Sequence, residues 1–380
     1  MEINDKLNII QKNIIPILEE TDFIKTFKLN NLKNLNKIYF LMKKYNKKQS
    51  FNIQLNNALI RPVTLSKNEN KFIPQHIRNY IFNNIKKQYQ INIKLKNREI
   101  NIYISDNKPI LKNKLNKLIN KIIYIIKTLD DLTTKQPAKL DLFIYLSSQK
   151  KILPKNKNDI LTNNNINSGY TTYLTSDNRE IVVYREEELV KVLIHELIHY
   201  YDFDIKTTID FMENKLFIKN CLKLYGESYT DTWARILNIM FIAVEKTKNY
   251  NDYYKFLQIS LYIEILFSYF QGFKTLNHFN ISYNMLRNEI DKINNYKESS
   301  NGYCYYVLPS IILLNIDLFI EMCYINNKSN IIEFNDDNKN HKDLILLILK
   351  ILNSNKFKKI EKMLSKYSIN NNTMRMSIIE

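Results

Sequence analysis

Four glycines and seven prolines in 380 residues leave few positions for tight turns. That scarcity disfavours an all-β chain of many short strands and points to helices with a limited sheet. A composition of 45% hydrophobic and 25% charged residues is ordinary for a globular chain and excludes wholesale disorder. Three cysteines, Cys221, Cys304 and Cys323, are too few and too scattered for a disulfide framework, so a reducing compartment is expected. The N-terminal MEINDKLNIIQKN lacks the apolar core of a signal peptide. The most apolar stretch, Tyr303 to Tyr324, carries Pro309, Asn315, Asp317 and Glu321 and reads as a buried helix, not a transmembrane segment. The expectation is an intracellular, soluble, cytoplasmic protein.

Periodicity along the chain predicts strands first and helices afterwards, the order of an α+β protein. Residues 1–48 read as helical, and Phe51 to Ile104 as mixed, with a hairpin over 91–104 turning near Asn97. A helix is predicted over Leu115 to Leu129, a buried strand over Leu140 to Leu146, and a loop over Lys150 to Asn167. A second hairpin runs from Gly169 to Leu174, turns at Ser176–Asp177–Asn178 and returns from Glu180 to Tyr184. Beyond Glu186 nearly everything reads as helix.

The chemistry concentrates in residues 186–203, EEELVKVLIHELIHYYDF. Residues four apart share a helix face, so His195 and His199 converge on a point that suits Zn²⁺. Glu196 follows the first histidine, where it can serve as general base to a water on the metal. With five histidines in the chain, coincidence produces this pattern in roughly one chain in 300 of like composition. Asp202, three residues past His199, is a candidate further ligand; Asp204 is weaker.

The motif resembles the HExxH signature of zincins, and Glu227 to Asp231 in GESYTDTWA resembles the Glu-x-x-x-Asp helix of gluzincins, the thermolysin-like zinc peptidases. The resemblance implies that Glu227 is the third ligand and that Asp231 orients a zinc-binding histidine. A ligating imidazole does need such an outer acceptor. It implies a zincin-like α+β fold with a short sheet and a predominantly helical C-terminal part. It further implies a metallopeptidase acting on a peptide or protein substrate, with Tyr305 or Tyr306 as candidates to stabilise the oxyanion. The longer spacing between His199 and Glu227 departs from thermolysin and suggests an inserted segment over the cleft. The stretches NSGYT, IVVYREEELVKVLIHELIH and ESYTDTWARILN are also similar to HExxH proteins of large DNA viruses, which implies a virion or an infected-cell cytoplasm.

The expected division is a basic N-terminal α+β region (1–120), a catalytic domain (121–300) and a helical C-terminal region (301–380). The alternative is one continuous domain with an N-terminal lobe. Strand Glu180 to Tyr184 is the expected partner of extended substrate backbone. The competing functional reading is a binding or structural protein whose zinc site is closed by Asp202. Residues 1–180 hold 32 basic and 14 acidic side chains, or +18, and residues 181–380 hold 24 of each. That asymmetry suggests an anionic partner, nucleic acid or an acidic surface, for the N-terminal half. His76, His278 and His341 lie in polar stretches and read as surface residues, and Cys221 lacks the partner of a thiol nucleophile.

Overall fold

A computed structural model describes residues 2–26, 29–46, 59–61, 72–133, 137–175, 177–327, 330–367 and 371–380. Ser176 of the expected turn and, within the mixed stretch, residues 51–58 and 62–71 lie outside the described residues. The protein is mixed α and β, and the chain divides into two compact units that interleave in sequence. One is built from residues 38–150 and 167–203, the other from 1–37, 151–166 and 204–380. The sequential division at 120 and 300 therefore does not describe the contacts. Residues 1–37 belong with the C-terminal helices: Asp317 accepts hydrogen bonds from the backbone N–H groups of Asn30 (2.7 Å) and Asn31 (3.2 Å). The hydroxyl of Tyr254 donates to the carbonyl of Leu29 at 3.1 Å.

The sheet unit contains strands β1 (Leu59–Arg61), β2 (Lys87–Leu95), β3 (Arg98–Asp106), β4 (Lys139–Tyr145), β5 (Gly169–Tyr173) and β6 (Asn178–Val183). Their spatial order is β1-β2-β3-β4-β6-β5. The β2–β3 hairpin turns at Lys96, whose φ of 56° occupies the left-handed region. β3, β4 and β6 run parallel, and helix Lys112–Asp130 makes the crossover from β3 to β4. β5 is antiparallel to β6 and lies at the sheet edge. The substrate-pairing strand expected at Glu180 to Tyr184 is thus an interior strand, hydrogen-bonded on both sides. The edge strand beside it is β5.

Strand alternation places Phe143, Tyr145, Val182 and Tyr170 on one face, where Ile77 and Ile81 of helix Gln75–Asn84 cover them. Ile102, Leu142, Ile181 and their neighbours are buried on the other face. Helix Leu189–Tyr200, which carries both histidines of the motif, packs on β5, β6 and the crossover helix. Its apolar positions Val192, Leu193, Leu197 and Ile198 are buried. The helix starts at Leu189, so the three acids Glu186 to Glu188 precede it instead of forming its first turn.

The helical unit is centred on helices Tyr225–Lys246 and Tyr250–Asn277, with Tyr303–Val307 running into Leu308–Leu313 beside them. The C-terminal tail is pinned there. Asn238 donates to the Ile379 carbonyl at 2.7 Å, and Glu264 accepts from the Ile378 N–H at 3.1 Å. No single helix among the described residues is long and apolar enough to cross a membrane. The two pieces Tyr303–Leu313 and Ile316–Asn326 reach that apolar length only together, and they bend by 97°.

Candidate metal centre

The helical spacing of the HExxH residues has a direct geometric result. His195 Nε2 lies 3.2 Å from His199 Nε2, with the rings nearly perpendicular at 71°. Two nitrogens about 2.0–2.1 Å from one tetrahedral ion stand about 3.3 Å apart, so this separation fits a shared metal. His195 is 4% exposed and Glu196 6%, so both are held by packing. Thr171, on edge strand β5, donates its hydroxyl hydrogen to Glu196 Oε2 at 2.8 Å, with the Glu196 carbonyl oxygen 3.0 Å away.

That contact requires strand and helix to approach closely, and Gly169 permits it. A Cβ built at Gly169 would stand 2.8 Å from the Val182 carbonyl oxygen, 2.9 Å from Val192 Cγ1 and 3.1 Å from Glu196 Oε1. The first of these is backbone and cannot swing aside. Gly169→Ala is expected to destabilise by about 1–3 kcal/mol, the usual result of overpacking. It should also displace Glu196. Urea unfolding of the variant checks the first effect, and an unchanged midpoint would contradict the packing account.

Glu227 sits in the first turn of helix Tyr225–Lys246, where a negative charge is favoured by the helix dipole. The Tyr305 hydroxyl donates to Glu227 Oε2 at 3.0 Å. Tyr305 projects from a π-helical turn, Tyr303–Val307, a geometry often found at functional sites. Four residues after Glu227, Asp231 is fully buried and accepts from Arg235 Nε at 2.7 Å. Arg235 also donates to the Tyr305 carbonyl at 3.1 Å and lies 3.5 Å from Glu264. The Asp231–Arg235–Glu264 cluster thereby ties the Glu227 helix to the turn bearing Tyr305. Glu298 adds a second tie. It accepts from the Leu222 N–H (2.7 Å), the Tyr303 N–H (2.8 Å) and the Tyr296 hydroxyl (2.7 Å). Burial pushes its carboxyl up to about 7 despite those donors.

His195 and His199 belong to the sheet unit and Glu227 to the helical unit. Asp202 pairs with Arg179 at 2.6 Å. Asp204 pairs with Lys206 at 2.7 Å. The Tyr306 hydroxyl donates to the Met374 carbonyl at 2.5 Å and is buried there.

Two histidines differ from their expected surface placement. His341 is 1% exposed, with Nδ1 2.7 Å from the Tyr225 hydroxyl and Nε2 2.7 Å from Asp336. His278 is 4% exposed, its Nε2 2.9 Å from the Asp159 carbonyl oxygen. Both polar stretches fold inward because these imidazoles find partners there. His76 is exposed as expected. All three cysteines are free thiols, and burial raises the Cys221 thiol far above its ordinary range, which disfavours a nucleophilic thiolate.

Thr171, Gly169, Arg235 and Glu298 escaped the sequence reading. Gly169 had a signal, as one of four glycines and part of the quoted NSGYT segment. No protein-family model, curated protein or solved structure matches the chain.

Proposed function

We propose that the protein is a zinc metallopeptidase in which His195, His199 and Glu227 hold Zn²⁺. The observation that carries this reading is the 3.2 Å separation of the two imidazole nitrogens, and the Glu-x-x-x-Asp resemblance supplies Glu227 as the third ligand. Two nitrogens and one carboxylate oxygen form a donor set that zinc hydrolases use with a fourth position open. A zinc ion held there supplies Lewis acidity, polarising a carbonyl and lowering the pKa of water. The residues do the rest. Glu196 takes a proton from the attacking water and passes it to the leaving amine. Thr171 donates to Glu196 Oε2 and so fixes the orientation of that carboxylate. Tyr305 donates to Glu227 Oε2 and would orient that carboxylate as a ligand. Outer hydrogen bonds of this kind orient a ligand and tune it. The same hydroxyl is a candidate to reach the oxyanion of a bound substrate. Edge strand β5, in place of the interior β6, is the candidate to pair with an extended peptide.

A structural zinc closed by Asp202 has less support, because Arg179 engages that carboxylate. Protein purified without chelator should contain one zinc per chain by elemental analysis. Metal-free protein that gains no stability on adding zinc would overturn the proposal.

An anionic partner is proposed for the sheet unit, not for residues 1–180 as a block. Residues 38–150 and 167–203 hold 25 basic and 13 acidic side chains, or +12, which leaves +6 for the other unit. Lys112, Lys114 and Lys117 form an exposed basic patch on the crossover helix. Affinity for single-stranded DNA or heparin should fall steeply with salt as counterions are released. Reversing these three lysines to Glu should flatten the salt slope, measured by fluorescence anisotropy. A slope identical to that of the wild type would count against the patch.

A further inference from the structure

The helical unit contains a cleft of about 620 Å³ with no part in the proposed hydrolysis. It is lined from four elements: helices Glu213–Leu216, Tyr283–Asn288 and Asn338–Asn353, and the turn Ile290–Lys292. On the third of these, Leu346, Leu349, Lys350 and Asn353 recur at helical spacing, so one face of that helix forms a wall. Leu346 is 44% exposed, a large apolar side chain left open to solvent. Leu286 and Met212 extend the apolar lining.

Arg287 is the unusual residue of this cleft. Its side chain is only 5% exposed, pairs through Nη2 with Glu361 and lies over the Phe357 ring at 5.6 Å. Nη1 is buried and has no hydrogen-bond partner among the described residues. A buried donor without a partner carries a desolvation cost, and native structures rarely leave one so without a reason. Lys215 and Lys350 stand exposed at the same cleft. Against these three cations are Asp291 in the lining and Glu361 behind Arg287, which leaves a surplus of one positive charge. One surplus charge suits a monoanion better than a phosphate dianion.

We propose that this cleft binds a small amphipathic carboxylate, its head toward Arg287 and Lys350 and its apolar body along Leu286, Leu346 and Leu349. The volume lies within the roughly 300–1,000 Å³ of small-molecule sites, and an apolar wall with a few fixed polar groups is their usual make-up. Guanidinium is the side chain best shaped for a carboxylate. The head can come from a fatty acid or from the C-terminal carboxylate of a short apolar peptide. Both present the same chemistry.

Calorimetric titration of the full-length protein with octanoate, 1-octanol and N-acetyl-leucyl-leucine tests this. Saturable 1:1 binding of either carboxylate supports the inference, and their relative affinity identifies the source. 1-Octanol should bind at least tenfold more weakly than octanoate. Lys350→Glu and Leu346→Glu, both at exposed positions, should each weaken octanoate binding at least tenfold. Arg287→Met should bind octanoate and octanol alike; if that variant fails to fold, the two exposed-position variants decide. Absence of saturable carboxylate binding, equal binding of octanol by the wild type, or undiminished binding in both exposed-position variants would overturn the proposal.

Discussion

Glu196→Gln is expected to reduce peptide hydrolysis by about 10²–10⁴-fold while zinc content stays at the wild-type level. General-base catalysis contributes about that range, and an amide cannot accept the proton. The substitution keeps the volume of the side chain, and the amide oxygen can still accept the hydrogen bond that Thr171 now gives Oε2 at 2.8 Å. Fold and metal site should survive, so the loss should appear in kcat and not in metal affinity. The measurement is turnover of a casein or quenched-peptide substrate beside elemental analysis of the same sample. Undiminished turnover would remove Glu196 from the chemistry and return the site to a structural role. Thr171→Val, which removes the hydroxyl and keeps the shape, should give a smaller loss of the same kind.

The second large effect concerns the ligands. His199→Ala and Glu227→Ala should each weaken zinc binding by more than about a hundredfold, since even outer-shell partners cost 10–100-fold when removed. Tyr305→Phe should fall in that smaller outer-shell range, because it removes the hydrogen bond to Glu227 Oε2. Asp202→Asn should leave zinc affinity unchanged, as its carboxylate serves Arg179. Competition titration with a chromophoric chelator ranks all four variants. Equal affinities for wild type and Glu227→Ala would show that Glu227 is not a ligand. Preferential loss in Asp202→Asn would hand the third position to the aspartate.

Much of the local structure was legible because it depends on neighbours in the chain. Helical spacing places His195 and His199 on one face whatever packs around them, and alternation in 91–104 and the apolar run of 140–146 mark segments that do form strands. The mixed α and β class followed from the order of those periods. Glu227 was named from a motif, and its hydrogen bond to Tyr305, 78 residues away, is absent from any local pattern.

Long-range choices were not legible. Strand order is set by pairing across a sheet: β6 reads like an edge strand in sequence, yet β5 folds over it and takes the edge. The unit boundaries interleave because residues 1–37 find partners such as Asp317 and Tyr254 in the C-terminal half, and no linker composition records that. The inward turn of His341 rests on Tyr225 and Asp336 converging on both ring nitrogens. Gly169 looks like any turn glycine until Val182, Val192 and Glu196 are seen against it. The sequence by itself determined the helix that aligns two imidazoles and a carboxylate, because a 3.6-residue period is a property of the backbone. Tertiary structure alone decided which strand takes the edge, what holds Glu196 and Glu227 in place, and where the basic surplus lies. Those outcomes depend on which distant surfaces exclude water together, and chain order does not encode that directly.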